Sequence, residues 1–526
     1  MCCCWWARTA GPPPRGFCAD AMANVMQQQA RPRKTASRIL SRQGLKPVLY
    51  LLGTMLIAAA IMMVPPMLVD LWSRHPDWRA FALSGTVALA CGLALRWKNA
   101  DGIKHGLTLR QAFLLTPTSW VAVAAISALP FYFSDHGSVS GHLTNAVFES
   151  VSGITATGAT VISGLEDAPP GILLWRAILQ WLGGIGIIAS AIVILPALGI
   201  GGMQLFRTES SDRSEKALPR TRQVVLLIVL AYLALTALAT ITFRVLGMRL
   251  FDAVAHAMAT ISTGGYSTSD RSFGAWEGAG IQWAATLFMV AGSVPFVLYV
   301  RLLAGDSRAL WDRQVRTMLR MLVIVVAALG LWLALTGHYG VEPAFRHAAF
   351  NVVSIVTTTG FATQDYTLWG NGVIGLFFIL TFVGGCTGST TGGIKIFRFE
   401  IVALMLRTHF LKLLNPNGVF PRTYAGRPVE DSVVASVVAF LAVFFICYAS
   451  LTIGLMACGL DFITGASGAA TALANVGPGL GPVIGPAGNF ESLPNAAKWL
   501  LSAAMLLGRL ELFTVLILFL PRFWRE

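Results

Sequence analysis

Four stretches decide the fold: NAVFESVSGITATGATVISG (145–164), DAVAHAMATISTGGYSTSD (252–270), RHAAFNVVSIVTTTGFATQD (346–365) and GAATALANVGPGLGPVIGP (468–486). Each opens with a moderately apolar run too short to cross a bilayer, which takes about 20 residues of helix. Each then breaks into small residues, glycine with threonine or serine. Irregular backbone at membrane depth survives only where protein or water surrounds it. A short helix followed by a Gly-rich bend, set between two spanning helices, therefore reads as a re-entrant pore loop. Aligned on Gly158, Gly264, Gly360 and Gly477, the bends recur 106, 96 and 117 residues apart. Self-similarity at that period means one structural unit used four times.

The rest of the chain agrees. Of its 526 residues 55% are hydrophobic and 12% charged, about half the charge of a typical soluble protein. Mean hydropathy is +0.66. That much apolar surface excludes a soluble, disordered or coiled-coil chain. Ten spans are expected, near 46–70, 79–98, 111–133, 171–200, 222–246, 280–303, 319–337, 372–394, 432–458 and 496–520. They are helices, being too long and too uniformly apolar for barrel strands. The fold class is an all-α polytopic membrane protein: four helix–pore loop–helix repeats around a pseudo-fourfold central pore, plus two extra N-terminal helices.

Lysine and arginine set the orientation. Segments 96–110, 203–222, 301–320 and 395–429 carry 4, 5, 5 and 6 of them. The alternate connections carry five in all. Basic loops stay cytoplasmic, so both termini are expected there and the four bends open outward. The net charge of +14 follows from the same bias and needs no nucleic-acid partner. Membrane lipid is the expected surrounding. The eight cysteines form no CxxC pair and are expected as free thiols. Residues 1–44 are expected to be a disordered cytoplasmic extension, with Met22 or Met26 as alternative starts. The extra helix pair takes 45–100, and the four repeats 101–205, 206–305, 306–415 and 416–526.

The bends suit a cation. A dehydrated cation needs oxygen ligands at fixed distances, and four strands of carbonyls facing one axis supply them. Glycine provides the unusual dihedrals. The candidate filter is Thr155-Ala156-Thr157-Gly158, Ile261-Ser262-Thr263-Gly264, Thr357-Thr358-Thr359-Gly360 and Ala474-Asn475-Val476-Gly477. Cation ligands are expected at Thr155, Thr157, Thr263, Thr357, Thr359 and Asn475. The four outer segments hold eleven acids (Asp135, Glu149, Glu166, Asp167, Asp252, Asp270, Glu277, Glu342, Asp365, Asp461 and Glu491) against three arginines. Acids at the mouth concentrate cations. The chain shows no Walker motif, no dinucleotide turn after a strand, no H-E-x-x-H and no credible triad. No catalytic residue, covalent cofactor or enzymatic activity is expected.

These bends, with GGCTGSTTGGIKIFRF (384–399) and GRLELFT (508–514), resemble the Trk/Ktr/HKT potassium-transporter superfamily, most closely its TrkH-type membrane subunit. The likeness covers about 45–526. It implies K⁺ passage where all four filters carry glycine, and a bacterial inner (cytoplasmic) membrane location. It implies a homodimer and a TrkA-like cytoplasmic partner that binds NAD or ATP. The run Gly384, Gly385, Cys386, Thr387, Gly388, Ser389, Thr390, Thr391, Gly392, Gly393 is a poor helix and resembles the family's intramembrane gating loop. A tight small-residue helix contact is the alternative. Arg509, a charge within an apolar span, is a functional candidate, implied to face the pore below the filter; pairing with Glu511 is the alternative. Lys395 either braces the gate or marks a helix end. A Na⁺-permeable or ion-coupled transporter of the same fold is the runner-up. A secondary carrier would show inverted repeats, and these repeats run one way.

Overall fold

The computed structural model describes residues 42–105, 107–193 and 217–525. Residues 1–41 of the expected N-terminal extension and 203–216 of the second basic segment lie outside the described residues. Seven stretches are long and apolar enough to cross a membrane without a sharp bend: Gly44–Trp72, Trp78–Lys98, Arg110–Phe133, Pro170–Ile188, Gln223–Val245, Arg313–Leu335 and Asp431–Ala457. Their outward faces, among them Leu226, Leu230, Ile241, Val323, Ile324 and Ile453, are exposed apolar side chains. A water-soluble surface does not carry so much of this; it is the lipid-facing belt.

The other three expected spans are not single helices. Residues 280–303 form Ala279–Ser293 and Phe296–Leu303, bent by 92°. Pro295 has no N–H to donate and disfavours helix at the residue before it, so the helix stops at Ser293. Residues 496–520 form Asn495–Arg509 followed by a 110° bend, where Glu511 takes a positive φ of 60°. Residues 372–394 form only Asn371–Thr381 before the chain turns irregular and resumes as Ile396–Leu414. A two-stranded hairpin, Thr423–Tyr424 with Arg427–Pro428, follows in the basic connection.

Helix starts follow local chemistry. Thr108 and Gln111 cap each other in front of Leu109–Ser127. The side chains of Asp312 and Asp461 accept from the first turns of Arg313–Leu335 and Phe462–Ala474. Such caps satisfy amides that a new helix leaves without partners. The extra pair crosses closely because a Cβ on Gly53 would meet the Gly92 carbonyl at 2.7 Å.

Four short helices lie between spans as expected: Leu250–Ile261, Val341–Val356, Phe462–Ala474 and, in the first repeat, Leu143–Ile154. They are here called pore helices. The helix after each bend packs on the pore helix of the next repeat. Pro170–Val193 meets the second, Ala279–Ser293 the third, Asn371–Thr381 the fourth, and Asn495–Arg509 returns to the first. The four repeats thus close into a ring.

Candidate ion pathway and gate

All four pore helices end the same way. In the first three the residue after the cap, and in the fourth the cap itself, adopts a left-handed φ: Ala156 (51°), Thr263 (51°), Thr358 (53°) and Asn475 (55°). The next amide reaches back five residues to the pore helix: Thr157 to Ser152 at 2.9 Å, Gly264 to Ala259 at 2.8 Å, Thr359 to Ser354 at 2.8 Å and Val476 to Thr471 at 3.0 Å. This is the left-handed helix stop that ties up the last carbonyls. None of the four uses glycine at the left-handed residue, although an ordinary side chain there costs about 1–2 kcal/mol.

The residue after that is glycine with positive φ in every repeat: Gly158 (87°), Gly265 (80°), Gly360 (82°) and Gly477 (110°). A Cβ on each would strike a carbonyl of the next repeat: Gly158 that of Gly264, Gly265 that of Thr359, Gly360 that of Val476, and Gly477 that of Thr157. Four carbonyls and four glycines interlock in one cycle around a single axis.

This geometry corrects the alignment of the second repeat by one residue. Gly265, not Gly264, corresponds to Gly158, Gly360 and Gly477. The second stretch in register is Ser262-Thr263-Gly264-Gly265, and Ile261 is the last helical residue behind it. The expected hydroxyls divide accordingly. Thr155 and Thr157 pair through their Oγ1 atoms at 2.7 Å, and Thr357 and Thr359 at 2.8 Å. The Thr263 hydroxyl turns away to Ser262 O and to Thr390. Asn475 donates from Nδ2 to Thr157 Oγ1 and Met505 O, both at 2.9 Å, while its Oδ1 has no partner among the described residues.

Behind the candidate filter, polar side chains of the pore helices hold the outgoing strand in the first three repeats, and one in each stands at the same position. Glu149, His256 and Asn351 each lie six residues before the cap. Glu149 accepts from Val161 N at 3.0 Å. His256 meets Ser267 Oγ at 3.0 Å. Asn351 bonds Thr363 through its side-chain amide and carbonyl. Glu149, counted above among the mouth acids, is fully buried. Its partner is Arg176, at 2.8 Å, whose guanidinium also donates to Ser267 O at 2.9 Å and lies 4.0 Å from the Tyr266 ring. Arg176 thereby ties the first repeat's filter to the second's. The remaining acids of the mouth lie nearer the surface. Glu166 accepts from Ser269 and Asp270 N, while Asp270 accepts from Gly164 N and Leu165 N.

Directly beneath sits the irregular run 382–395. Gly384 N donates to Ile394 O at 2.9 Å and Ile394 N to Phe382 O at 3.1 Å, closing the run into a loop. Its tip reaches the pore-helix ends. Thr390 Oγ1 donates to Ile261 O and Gly292 O, at 3.1 and 3.0 Å. Gly392 N donates to Thr358 Oγ1 at 2.7 Å, and a Cβ on Gly392 would collide with Ala474 O. Ser389 and Thr391 bond each other at 2.8 Å, and Thr387 N donates to Gln314. Gly388 O accepts from Phe296 N at the bend of the second repeat. Gly385 and Gly393 let the backbone approach Thr391 and Gly384 closely.

Arg509 is 2% exposed and donates through Nη1 to Thr390 O at 2.8 Å. Glu511 pairs instead with Arg398, at 2.6 Å. Lys395 is buried and donates to both oxygens of Thr391; it also stands immediately before Ile396–Leu414. Gly388, Ser389, Thr391, Lys395, Arg509 and Glu511 share one small cavity. Sequence reasoning missed Gly265, Gln180, Arg176 and Arg398; it named Ala156, Thr263, Thr358 and Asn475 but not their left-handed backbone. The aromatic after the glycine in the second and third repeats, Tyr266 matching Phe361, was the signal that places Gly265 in register.

A closed cycle of four re-entrant bends, each between membrane helices, defines a pore-loop membrane transport protein. The sequence pattern of the TrkH family, described as a cation transport protein, matches residues 78–526. The chain is 48% identical over 485 residues to the Trk system potassium uptake protein TrkI of Halomonas elongata, covering 91% of this chain and 97% of that protein. It is 36% identical over 487 residues to the Trk system potassium uptake protein TrkH of Escherichia coli, covering 91% and 99%. The crystal structure of the potassium transporter TrkH from Vibrio parahaemolyticus superposes with a TM-score of 0.83 at 32% identity, covering 91% of this chain and all of that one. The chain belongs to the TrkH family of cation transport proteins. It is a transporter and not an enzyme.

Proposed function

We propose that this protein carries K⁺ into a bacterial cell across the inner membrane, as the membrane subunit of a Trk-type uptake system. The observation that carries the reading is the cycle of interlocked glycines and carbonyls, one from each repeat. K⁺ enters from the acidic mouth, exchanges water for the carbonyls of Thr157, Gly264, Thr359 and Val476, and meets the threonine hydroxyls of the first and third repeats further in. Carbonyl oxygens replace the hydration shell, and neutral dipoles hold the ion without trapping it. The free Oδ1 of Asn475 offers the fourth repeat's ligand, where hydroxyls are lacking. The relatives named for potassium uptake, at 36–48% identity over nearly their full length, support K⁺ as the ion.

The loop 384–393 is the gate and Arg509 its latch. A loop tip pinned under the filter obstructs the axis, and a fixed cation beside it raises the barrier to K⁺. Lys395 braces the loop from the cytoplasmic side. Opening requires the Arg509–Thr390 contact to part. A TrkA-like cytoplasmic subunit carrying NAD or ATP supplies that energy through the basic loops, and the protein works as a homodimer with both termini inside. Repeat boundaries at 101, 206, 306 and 416 follow from this scheme. The test is growth of a potassium-uptake-deficient bacterium on low K⁺. Expression of this chain with a TrkA-type partner is expected to restore growth, and Gly158→Ser is expected to restore it poorly. Failure of the unaltered pair at full membrane expression contradicts the proposal.

A further inference from the structure

The second repeat departs from the other three at one position. Where they carry Thr157, Thr359 and Val476, it carries Gly264, which has no side chain. Its φ is not positive, so backbone geometry does not call for glycine. The reason is Gln180, a fully buried residue of Pro170–Val193 in the first repeat. A Cβ at Gly264 would run into the Gln180 side chain, with Cγ at 2.8 Å. Gln180 occupies the space that a filter side chain fills elsewhere.

Its two amide atoms bracket the filter glycine. Nε2 donates to the Gly264 carbonyl at 2.6 Å, and Oε1 accepts from Tyr266 N at 3.1 Å. Gly265 lies between those two backbone groups. The Gly264 carbonyl is the ring oxygen that Gly158 abuts. Among the described residues, no side chain donates to the matching carbonyls of Thr157, Thr359 or Val476. One ring oxygen of four is therefore held by a side-chain donor, leaving its second lone pair for the axis.

We propose that Gln180 is a specificity-determining residue, a filter side chain lent by the first repeat to the second, which fixes the direction of the Gly264 carbonyl and so sets discrimination among monovalent cations. The inference rests on the filter reading above. A carbonyl tethered from behind cannot swing inward to meet a smaller ion, so the ring keeps the larger radius that suits K⁺. Without the donor the oxygen follows the ion, and Na⁺ is penalised less.

The test is K⁺ and Na⁺ influx into proteoliposomes, normalised to folded protein. The variants are Gln180→Leu, Gly264→Ala, the double Gln180→Ala/Gly264→Ala, and Gly158→Ser as a filter control. Gln180→Leu keeps the volume and loses the donor. It is expected to lower the K⁺:Na⁺ influx ratio about tenfold, the order of one lost hydrogen bond. Gly264→Ala is expected to abolish K⁺ influx, and the double variant to regain it, because removing Gln180 frees the space. An unchanged ratio in Gln180→Leu, with discrimination lost in Gly158→Ser, overturns the role of Gln180 and leaves the filter standing. Unchanged discrimination in Gly158→Ser overturns the filter reading itself. If Gln180→Leu does not fold, the double variant decides. A double no better than Gly264→Ala, in influx or in recovered folded protein, overturns the proposal.

Discussion

Gly264 and Gly265 stand side by side, and each is glycine for a different reason. Gly265 is fixed by its backbone, with φ at 80° and the Thr359 carbonyl against its α-carbon; Gly264 is fixed by a neighbouring side chain. Two adjacent glycines do not by themselves say which one lies in register; the match of Tyr266 with Phe361 was the sign that the alignment on Gly264 passed over. Gly265→Ala is expected to reduce K⁺ influx by at least about tenfold, since positive φ alone costs on the order of 1 kcal/mol before the collision is counted. Influx near the unaltered level would return the register to Gly264. The Glu149–Arg176 pair was illegible for another reason. The two residues lie 27 positions apart on different helices, and only the closed fold turns a presumed mouth acid into a buried brace. Arg176→Met leaves the carboxylate buried alone, and breaking such a pair costs about 3–5 kcal/mol. A clear fall in the melting temperature of the detergent-solubilised protein is expected, smaller when Glu149→Gln is added. Equal melting of all three would mean the pair bears no structure.

At the scale of elements, the four short helices were legible because their apolar runs are too brief to span and end in glycine. The breaks in the second helices of the second and fourth repeats were hidden by continuous apolar composition. Pro295 was a visible sign of one; the bend at Leu510–Glu511 has no such sign and depends on Arg398 holding Glu511 from another helix. The loop 384–393 was legible as a poor helix, but its bonds to Ile261, Gly292 and Thr358 join residues far apart in sequence. Arg509→Ala is expected to raise K⁺ influx several-fold without the partner subunit and leave the K⁺:Na⁺ ratio unchanged, because it loosens the loop and spares the filter. A drop in influx would make Arg509 a structural anchor and not a latch. The contact between the outer loops is expected to depend on pH. Burial works to raise the Glu166 pKa, but hydrogen bonds from Ser269 and Asp270 N, with Arg271 nearby, outweigh it and hold the pKa below its ordinary 4.5. A depressed folded-state value gives stability that is present above the unfolded pKa and lost as pH falls through the folded one. The loop contact is therefore expected to loosen as pH falls below the ordinary glutamate range. Glu166→Gln should flatten the dependence of melting temperature on pH in that range, and an identical dependence would remove Glu166 from the account.

Across the whole molecule, one cycle recurs at two depths, and a third set of contacts joins the first repeat to the second alone. Each repeat's second helix packs on the next pore helix. Each filter glycine abuts the next repeat's carbonyl. Arg176 and Gln180, both from the first repeat, hold the second repeat's filter strand. The ring is fourfold in backbone and unequal in side chains, with hydroxyl pairs in two repeats, a borrowed glutamine in one and an asparagine in the last. The most direct test is ion influx into proteoliposomes holding the purified chain, under matched K⁺, Rb⁺, Na⁺ and Li⁺ gradients. K⁺ and Rb⁺ are predicted to enter well ahead of Na⁺ and Li⁺. Equal K⁺ and Na⁺ influx, or none even with Arg509 removed and a TrkA-like subunit added, would contradict a four-repeat potassium filter.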